Sequence, residues 1–302
     1  MHTTIWRHIR RDRQLLILLI PCIVFYALFR YGPIYGLVIA FKDYDLYTGI
    51  LKSDWVGLAH FRRFFDGPDF WLLFKNTFLL GFFTLIFSFP FPIVFAVLLN
   101  EVRHTRFKKI VQTASYLPAF LSVVIVSSMV IDFLSPTHGL VNLALKSMGF
   151  ERIYFLAAPE WFRTIYIASD IWQFMGYEAI IYLAAIAGID PTLYEAARVD
   201  GAKRYHMMRY ITVPSIMSTI FIMFILKSGN VFRIGFEKVL LLYNPTTYEV
   251  ADVFSTFVYR KGLLEANYSY AAAVGLFEAI IALVMLLTAN FLTKRAGGKG
   301  LW

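Results

Sequence analysis

Long apolar stretches alternate with shorter polar segments along the whole chain. Each stretch has about the 20 mainly apolar residues that a helix needs to cross the hydrocarbon core of a bilayer. Prolines interrupt several stretches, and a helix bundle tolerates such breaks where neighbouring helices or water satisfy the freed carbonyls. The pattern predicts an all-α membrane protein with six transmembrane helices. The predicted spans are approximately residues 15–41, 71–99, 110–134, 163–188, 215–234 and 271–293 of one transmembrane domain, residues 1–302.

The first apolar stretch is too long for the hydrophobic part of a signal peptide, and no small-x-small cleavage site follows it. It is therefore predicted to be a span, which Pro21 and the Gly32–Pro33 pair kink or shorten. Residues 42–70 and 135–161 mix aromatic, charged and turn-forming residues, which predicts outer loops with short helices. Residues 236–270 are predicted to form a longer outer excursion.

A polar loop, residues 190–214, lies between the predicted fourth and fifth spans and reads as two short helices joined by a turn. Asp190 is a good N-cap, and Pro191 suits the first helical position, where its missing N–H costs nothing. Gly201 lies where a left-handed residue ends a helix. A second helical run starts at Ala202, and Pro214 marks the entry to the next apolar stretch.

Basic residues indicate which ends of the spans face the cytoplasm. About half of the 29 lysines and arginines fall in four short segments: residues 1–13, 100–109, 190–213 and 294–302. Loops on the cytoplasmic side of a membrane are enriched in Lys and Arg. The distribution predicts a multi-pass membrane protein with both termini and the 190–214 loop in the cytoplasm.

Composition supports membrane insertion and excludes several other classes. The 302 residues are 59% hydrophobic and only 16% charged, whereas soluble domains are about 25% charged. The net charge of +9 would suit nucleic-acid binding, but the cations cluster at span ends, so nucleic acid is not a predicted partner. The one cysteine, Cys22, excludes an intrachain disulfide and a cysteine-based metal cluster.

The 190–214 loop also carries a family signature. The residues of the signature are Tyr194, Glu195, Ala196, Ala197, Asp200, Gly201, Ala202, Ile211 and Pro214. Together they resemble the "EAA loop" of permease subunits in binding-protein-dependent ABC importers. The wider resemblance covers nearly the whole chain and is closest to sugar permeases, especially those for complex and acidic polysaccharides, alginate importers among them.

The resemblance implies a six-helix permease of the type I importer fold, whose EAA loop forms a coupling helix that docks on an ATPase subunit. It implies further partners: a second permease subunit, distinct but homologous, a second ATPase subunit, an extracytoplasmic solute-binding protein and a carbohydrate substrate. It also implies that the chain lies among the lipids of a bacterial cytoplasmic membrane. It implies that this chain is a non-catalytic subunit that binds no cofactor, with ATP and Mg²⁺ held by the ATPase.

The residue types of the loop suit docking physically. Ala196 and Ala197 give a small face that a partner approaches closely, and Gly201 permits a sharp turn. Glu195 and Asp200 can anchor that turn or pair with cations. The alternative interpretation is an ordinary amphipathic cytoplasmic loop, which explains the cations but not the spacing of the other residues.

Polar residues inside the predicted spans mark a candidate substrate pathway, because such groups usually face a bundle interior or an aqueous cavity. At about 100° per residue, Gln173 and Tyr177 lie about −60° and about −20° from Asp170, so the three form one stripe. Glu178 lies about 80° away and is predicted to face a neighbouring helix.

The fifth span offers Lys227 and Asn230 on one face, with Arg233 a turn further out. A cavity lined by Gln173, Tyr177, Asn230 and Trp172 would suit a sugar, and Lys227 and Arg233 would favour a carboxylated one. The alternative is that these groups satisfy one another between helices, for example Asp170 with Lys227.

Several chemistries have no signature in the chain. No G-x-x-x-x-G-K-[ST] phosphate loop, HExxH or GxSxG motif occurs. Two rival functions remain beside the importer subunit. A secondary transporter of a polar solute would need coupling-ion carboxylates and usually two repeated halves, and no internal repeat is evident. A non-transport scaffold or membrane enzyme is the other rival.

Overall fold

The structure is a computed structural model that describes residues 13–295. Four basic residues that the sequence predicts at the cytoplasmic face lie outside the described residues: Arg7, Arg10, Arg11 and Lys299. The described part is almost entirely helical. Its contacts divide it into two compact units. One comprises residues up to Gly67 with Val258–Leu276, and the other comprises Pro68–Phe257 with residues from Phe277 onward.

The first unit begins with a long apolar helix whose hydrogen-bonding pattern changes along its length. The segments are α1 (Arg13–Tyr26, with Pro21 inside it), a π-helical turn (Ala27–Tyr31) and a 3-10 helix (Gly32–Phe41). The second change falls at Pro33, where the missing N–H and the ring disturb a regular α-helix. Leu16–Phe41 is long and apolar enough to cross a membrane, and none of its most apolar window is buried. These side chains are therefore available to lipid or to another protein.

A small hairpin follows within the same unit. Its elements are β1 (Lys42–Asp43), α2 (Gly49–Lys52) and β2 (Asp54–Trp55), and α3 (Ala59–Phe65) comes after them. The Lys42 ammonium donates hydrogen bonds to the carbonyls of Ile50 and Ser53 at 2.7 and 3.1 Å. The 42–70 loop thus contains the predicted short helices and also a two-residue antiparallel ladder, which the sequence does not predict.

The second unit holds most of the described helices. In chain order these are α4 (Asp69–Ser88), α5 (Pro90–Asn100), α6 (Thr105–Tyr116), α7 (Val123–Leu134), α8 (Leu140–Ser147), α9 (Pro159–Ala187), α10 (Pro191–Val199), α11 (Arg204–Met207), α12 (Val213–Ser215), α13 (Met217–Ser228), α14 (Phe236–Leu242) and α15 (Tyr248–Ala251). Two last helices, α16 (Phe254–Tyr259) and α17 (Tyr268–Arg295), each have residues in both units.

Three of the apolar helices are single and three are bent. Among residues 13–295, Leu16–Phe41, Asp69–Asn100 and Tyr268–Arg295 each qualify alone as a span, and the number rises to six if each bent pair counts as one. The sharpest bend, 102°, lies between α6 and α7, inside the predicted third span. Pro118 lies in a 3-10 turn there, and Ser122 starts α7 by accepting the N–H of Ile125 at 3.3 Å.

Helix α9 is the centre of the second unit and packs against α4, α5 and α6. Two glycines allow the closest approaches. A Cβ on Gly176 of α9 would collide with the backbone of Ser115, and one on Gly81 of α4 would collide with the backbone of Val231. Small residues at such crossings let helix backbones pack closely in membrane proteins. The face of α9 that carries Gly176 therefore packs against Ser115, and the face of α4 that carries Gly81 packs against Val231.

Candidate functional site

The 190–214 loop is the first of two candidate sites, and its first helix, α10, begins as the sequence predicts. Asp190 is the N-cap, and its side chain accepts the backbone N–H of Thr192 at 2.9 Å. This hydrogen bond lowers the pKa of the Asp190 carboxyl, because it favours the charged form. Pro191 occupies the first helical position.

The end of α10 is a Schellman turn. Gly201 has a φ of +76°, its N–H bonds the carbonyl of Arg198, and the N–H of Ala202 bonds the carbonyl of Ala197. The predicted left-handed glycine is therefore confirmed. The chain reverses within three residues and continues into α11.

Two contacts hold the arms of the loop together. The Tyr194 hydroxyl on α10 lies 2.9 Å from Oγ1 of Thr212, which is fully buried at the end of the π-helical segment before α12. The Arg204 guanidinium donates to the carbonyl of Glu101 at 3.4 Å, in the turn after α5. Between these contacts lies a cavity of about 720 Å³, lined by residues of 100–103, α10 and 202–207, including Glu195 and Arg198. The loop is thus braced against the turn between α5 and α6.

Helix α10 exposes apolar side chains beside charged ones such as Glu195 and Arg198. Val199 is 88% exposed and Leu193 is 49% exposed. Of the signature residues, Glu195, Ala196, Asp200, Gly201 and Pro214 are exposed, and Tyr194, Ala197, Ala202 and Ile211 are half-buried. An exposed Val and Leu on a short braced helix leave apolar area that a partner protein would cover.

The second candidate site is a cavity of about 590 Å³ inside the second unit. It is lined by residues of α4, α9, the end of α13, the segment 230–235 and α14. Four residues of α9 face it, each one turn from the next: Tyr166, Asp170, Phe174 and Glu178. Residues four apart form one ridge on a helix, so this ridge is the polar wall of the cavity.

Of the seven residues that the sequence assigns to the substrate pathway, four line this cavity: Asp170, Lys227, Asn230 and Arg233. The other three lie elsewhere. Gln173 is only 2% exposed and donates to the carbonyl of Leu121 at 3.4 Å. Trp172 lines a separate apolar groove between α7, α8 and α9, and the ring of Tyr177 packs edge-on against Phe120. The face of α9 that lines the cavity therefore contains Asp170 and Glu178, and not the predicted Gln173 and Tyr177.

The charges of the cavity are paired differently from the pairing that the sequence suggests. The Lys227 ammonium binds Glu178 of α9 at 2.6 Å, rather than Asp170. Asp170 instead lies 3.9 Å from the ammonium of Lys238 on α14. Glu178 thus faces a neighbouring helix, α13, in agreement with its angular position. The Asn230 amide donates to the carbonyl of Leu226 at 3.2 Å, and Arg233 is exposed.

Sequence reasoning missed Tyr166, Glu237 and Lys238 as cavity residues. Tyr166 carries a usable signal, because it starts the four-residue spacing that continues through Asp170 and Glu178. Lys238 carries none, because it falls in the segment that the sequence assigns to an outer excursion, and only the fold brings α14 against α9.

Among residues 13–295, three to six helical segments are apolar enough to span a membrane, which defines a multi-pass membrane protein. Charged side chains on the wall of a cavity between such helices are typical of transporters. No protein-family model matches the chain. It is 47% identical over 292 residues to the polygalacturonan/rhamnogalacturonan transport system permease protein YteP of Bacillus subtilis (strain 168), which covers 97% of this chain and 91% of that protein. The chain belongs to the family of permease subunits of ABC sugar transporters.

Two solved structures share the whole fold. A crystal structure of a bacterial ABC transporter involved in the import of the acidic polysaccharide alginate contains a chain that is 46% identical, with a TM-score of 0.89 and coverage of 97% of this chain and 99% of that one. A second crystal structure holds a bacterial alginate ABC transporter in complex with an alginate pentasaccharide-bound periplasmic protein. Its matching chain is 45% identical, with a TM-score of 0.90 and coverage of 98% and 99%.

Proposed function

We propose that this chain forms half of the translocation pathway of an ATP-driven importer, and that α10 is the helix through which ATPase subunits move it. The observation that carries the proposal is the braced 190–214 loop. Its helix is tied to the rest of the unit through Tyr194–Thr212 and Arg204–Glu101, while Val199 and Leu193 are exposed. A braced helix with exposed apolar side chains suits a docking surface that transmits force.

The cation-bearing cavity supports an acidic oligo- or polysaccharide as substrate. Lys227, Arg233 and Lys238 line it together with three carboxylates and an amide. Lys227 is paired with Glu178, but no described atom accepts a hydrogen bond from Lys238, which leaves a cation for a carboxylated sugar. The relatives point the same way, since one is named for polygalacturonan and two belong to alginate transporters. Polygalacturonan and alginate are both polymers of uronic acids.

The remaining parts of the proposed assembly are on other polypeptides. A second, homologous permease subunit would complete the pathway, and a solute-binding protein would deliver the sugar from outside, as the related alginate transporter with its bound periplasmic protein suggests. Two ATPase subunits would hold ATP and Mg²⁺. Both termini and the 190–214 loop would lie in the cytoplasm, where the cations of the chain are concentrated.

In this assembly, closure of the two ATPase subunits on ATP would push α10 as a rigid body. The push would pass through Thr212 into α12 and α13, and through the turn after α5 into α5 and α6. Because α13 carries Lys227 and α9 carries Glu178, the motion would act directly on the walls of the cavity. Alternating access would follow from this rearrangement, without chemistry in this chain.

Co-purification tests the docking assignment. A charge at an exposed apolar docking position is costly only when a partner covers it, so Val199→Asp should insert normally and lose the ATPase from the purified complex. Tyr47→Asp is the matched control, because Tyr47 is 98% exposed but lies in the 42–70 loop. Retention of the ATPase by Val199→Asp, with uptake unchanged, would remove α10 as the docking helix.

A second experiment separates ATP-driven import from secondary transport. Uptake by cells that express the whole importer should persist in a proton-gradient uncoupler while ATP is maintained. Loss of uptake under that condition would instead support a carrier that uses Asp170 or Glu178 as a coupling carboxylate.

A further inference from the structure

Lys238 is the most unusual charged residue of the cavity. It lies on α14, outside the apolar spans, and only 3% of the residue is exposed. Lys238 lines the cavity, its ammonium is buried, and no atom among the described residues accepts a hydrogen bond from that ammonium. A lysine ammonium has three N–H donors, and a buried polar group without a hydrogen bond is costly.

The neighbours of Lys238 attract its charge without satisfying its donors. The nearest carboxylate oxygen, Oδ1 of Asp170, is 3.9 Å away, which is beyond hydrogen-bonding distance. The ring of Tyr166 lies beneath the ammonium at 5.1 Å from its centroid, in cation–π range. Burial lowers the pKa of Lys238 to about 8, and the Asp170 carboxylate opposes that shift. The ammonium is thus held in place by a carboxylate and a ring, with its donors unused.

The other buried lysine of the cavity is already engaged. Lys227 binds Glu178 at 2.6 Å, so its charge is compensated before any ligand arrives. Lys238 differs because its three donors have no acceptor among the described residues, and the residue lines a cavity of about 590 Å³, a volume within the range of ligand sites.

We propose that Lys238 is a specificity-determining residue that donates hydrogen bonds to the carboxylate of a uronic acid unit in the cavity. Hydrogen bonds between charged partners are about twice as strong as neutral ones, so a carboxylated sugar gains more from this group than a neutral sugar. Asp170 and Tyr166 are positioning residues that hold the ammonium where the sugar passes. The proposal rests on the importer function proposed above, because it assigns Lys238 the recognition of the substrate that the importer carries.

A purely structural role predicts different mutant behaviour. If Lys238 served only to neutralise Asp170 and hold α14 on α9, removing either charge would leave the other buried and unpaired, and removing both would relieve the defect. If Lys238 instead donates hydrogen bonds to a sugar carboxylate, removing Asp170 leaves the Lys238 ammonium in place. Removing both charges then leaves the pathway without that ammonium.

The test uses the complete importer in proteoliposomes, with the alginate pentasaccharide delivered by an excess of its binding protein. We expect Lys238→Gln to lower the initial uptake rate about tenfold while stimulation of ATP hydrolysis by the loaded binding protein stays near the wild-type level. Lys238→Arg should restore most of the uptake. Asp170→Asn keeps the donor but loosens its position, so it should be impaired less than Lys238→Gln, and the double variant Lys238→Gln/Asp170→Asn should remain as slow as Lys238→Gln.

Two results would overturn the assignment. In the first, Asp170→Asn is as impaired as Lys238→Gln and the double variant recovers uptake. This result would mean that Lys238 and Asp170 only neutralise each other. Wild-type uptake in Lys238→Gln would show that the ammonium does not contact the sugar. Failure of the importer function itself looks different, because the wild-type assembly would then take up no pentasaccharide in the presence of ATP.

Discussion

The hydroxyl of Tyr194 and the hydroxyl of Thr212 lie 2.9 Å apart, although 18 positions separate the two residues along the chain. Tyr194 belongs to α10, and Thr212 ends the segment that leads into α12 and α13. Thr212 is fully buried, so the bond links the exposed helix to the interior of the unit. It is the direct connection between the proposed docking surface and the helix that carries Lys227.

Tyr194→Phe removes this bond and retains the ring. A single hydrogen bond of this kind contributes about 1 kcal/mol, so the variant should fold and keep its ATPase. We expect ATP hydrolysis to continue while uptake per ATP falls several-fold, because α10 no longer transmits its movement to Thr212. The measurement is the ratio of sugar imported to ATP consumed in proteoliposomes.

Tyr205→Phe provides the control for this experiment. The Tyr205 hydroxyl also has one partner, the guanidinium of Arg209 at 3.2 Å, but both lie on the exposed surface. An unchanged ratio in Tyr205→Phe and a reduced one in Tyr194→Phe is the expected pair of results. Equal ratios of sugar to ATP in both variants would mean that the Tyr194–Thr212 bond does not transmit the movement of α10 to the transmembrane helices.

Gly201→Ala tests the turn at the end of α10. Gly201 has a φ of +76°, and an L-residue in this region costs about 1–2 kcal/mol. We expect lower thermal stability and weaker ATPase retention, because the turn sets the direction in which α10 leaves the unit. Gly188→Ala is the matched control: Gly188 ends α9 with a φ of −84°, and a Cβ there meets no atom closer than 3.5 Å. An equally mild effect in both variants would contradict the role given to the turn.

The loop could be predicted from sequence because its determinants are local. An N-cap at Asp190, a proline at the first helical position and a glycine at the left-handed position act within a few residues of where they stand. The same holds for the break in the predicted third span, where Pro118 signals a disturbance. The angle between the two helices, 102°, depends on the start of a new helix after Ser122, and the hydrophobic pattern does not predict it.

The cavity was only partly predictable because its walls depend on how whole helices are rotated and packed. Helical spacing places Gln173 near Asp170, but contact between Gly176 and Ser115 turns that side of α9 toward α6 and buries Gln173. Trp172 lies about 200° from Asp170 around the helix and faces an apolar groove on the other side of α9. Lys238 reaches the cavity only because α14 packs on α7 and α9, a long-range contact that no local signal reveals.

The Lys227–Glu178 pair predicts a charge-swap rescue. Each side chain is 24% exposed, so the pair is partly buried, and leaving either charge alone should cost about 1–3 kcal/mol. Lys227→Met and Glu178→Gln should therefore each lower the thermal stability of the purified importer. The double swap Lys227→Glu/Glu178→Lys should recover a large part of the loss. Absence of any recovery would indicate that the two side chains do not interact in the assembled importer.

The lowered pKa of Lys238 predicts a loss of acidic-sugar uptake at alkaline pH. A lysine carries its charge below its pKa, and burial lowers that of Lys238 to about 8, so the ammonium fraction falls as the pH rises through about 8. Other ionisable groups line the same cavity: Tyr166, Asp170, Glu178, Lys227, Arg233 and Glu237. Helix α7, which packs on α14, carries Asp132, which is exposed and does not line the cavity.

Lys238→Arg isolates this effect, because arginine stays protonated throughout the range. The measurement is the uptake rate of wild type divided by that of Lys238→Arg between about pH 7 and about pH 9. We expect the ratio to fall with a midpoint near pH 8. A constant ratio would mean that the protonation of Lys238 does not limit transport.

The central claim is that α10 is the point where an ATPase on another polypeptide pushes this chain, and site-specific cross-linking tests it most directly. Cys22 is the one cysteine of the sequence, so Cys22→Ser gives a background in which Val199→Cys or Tyr47→Cys carries a single thiol. The account predicts that a short cross-linker joins the thiol of Val199→Cys to an ATPase subunit in membranes, and that the thiol of Tyr47→Cys does not react with it. Labelling of Val199→Cys by a membrane-impermeant reagent from outside the cell, with no cross-link to an ATPase, would contradict it.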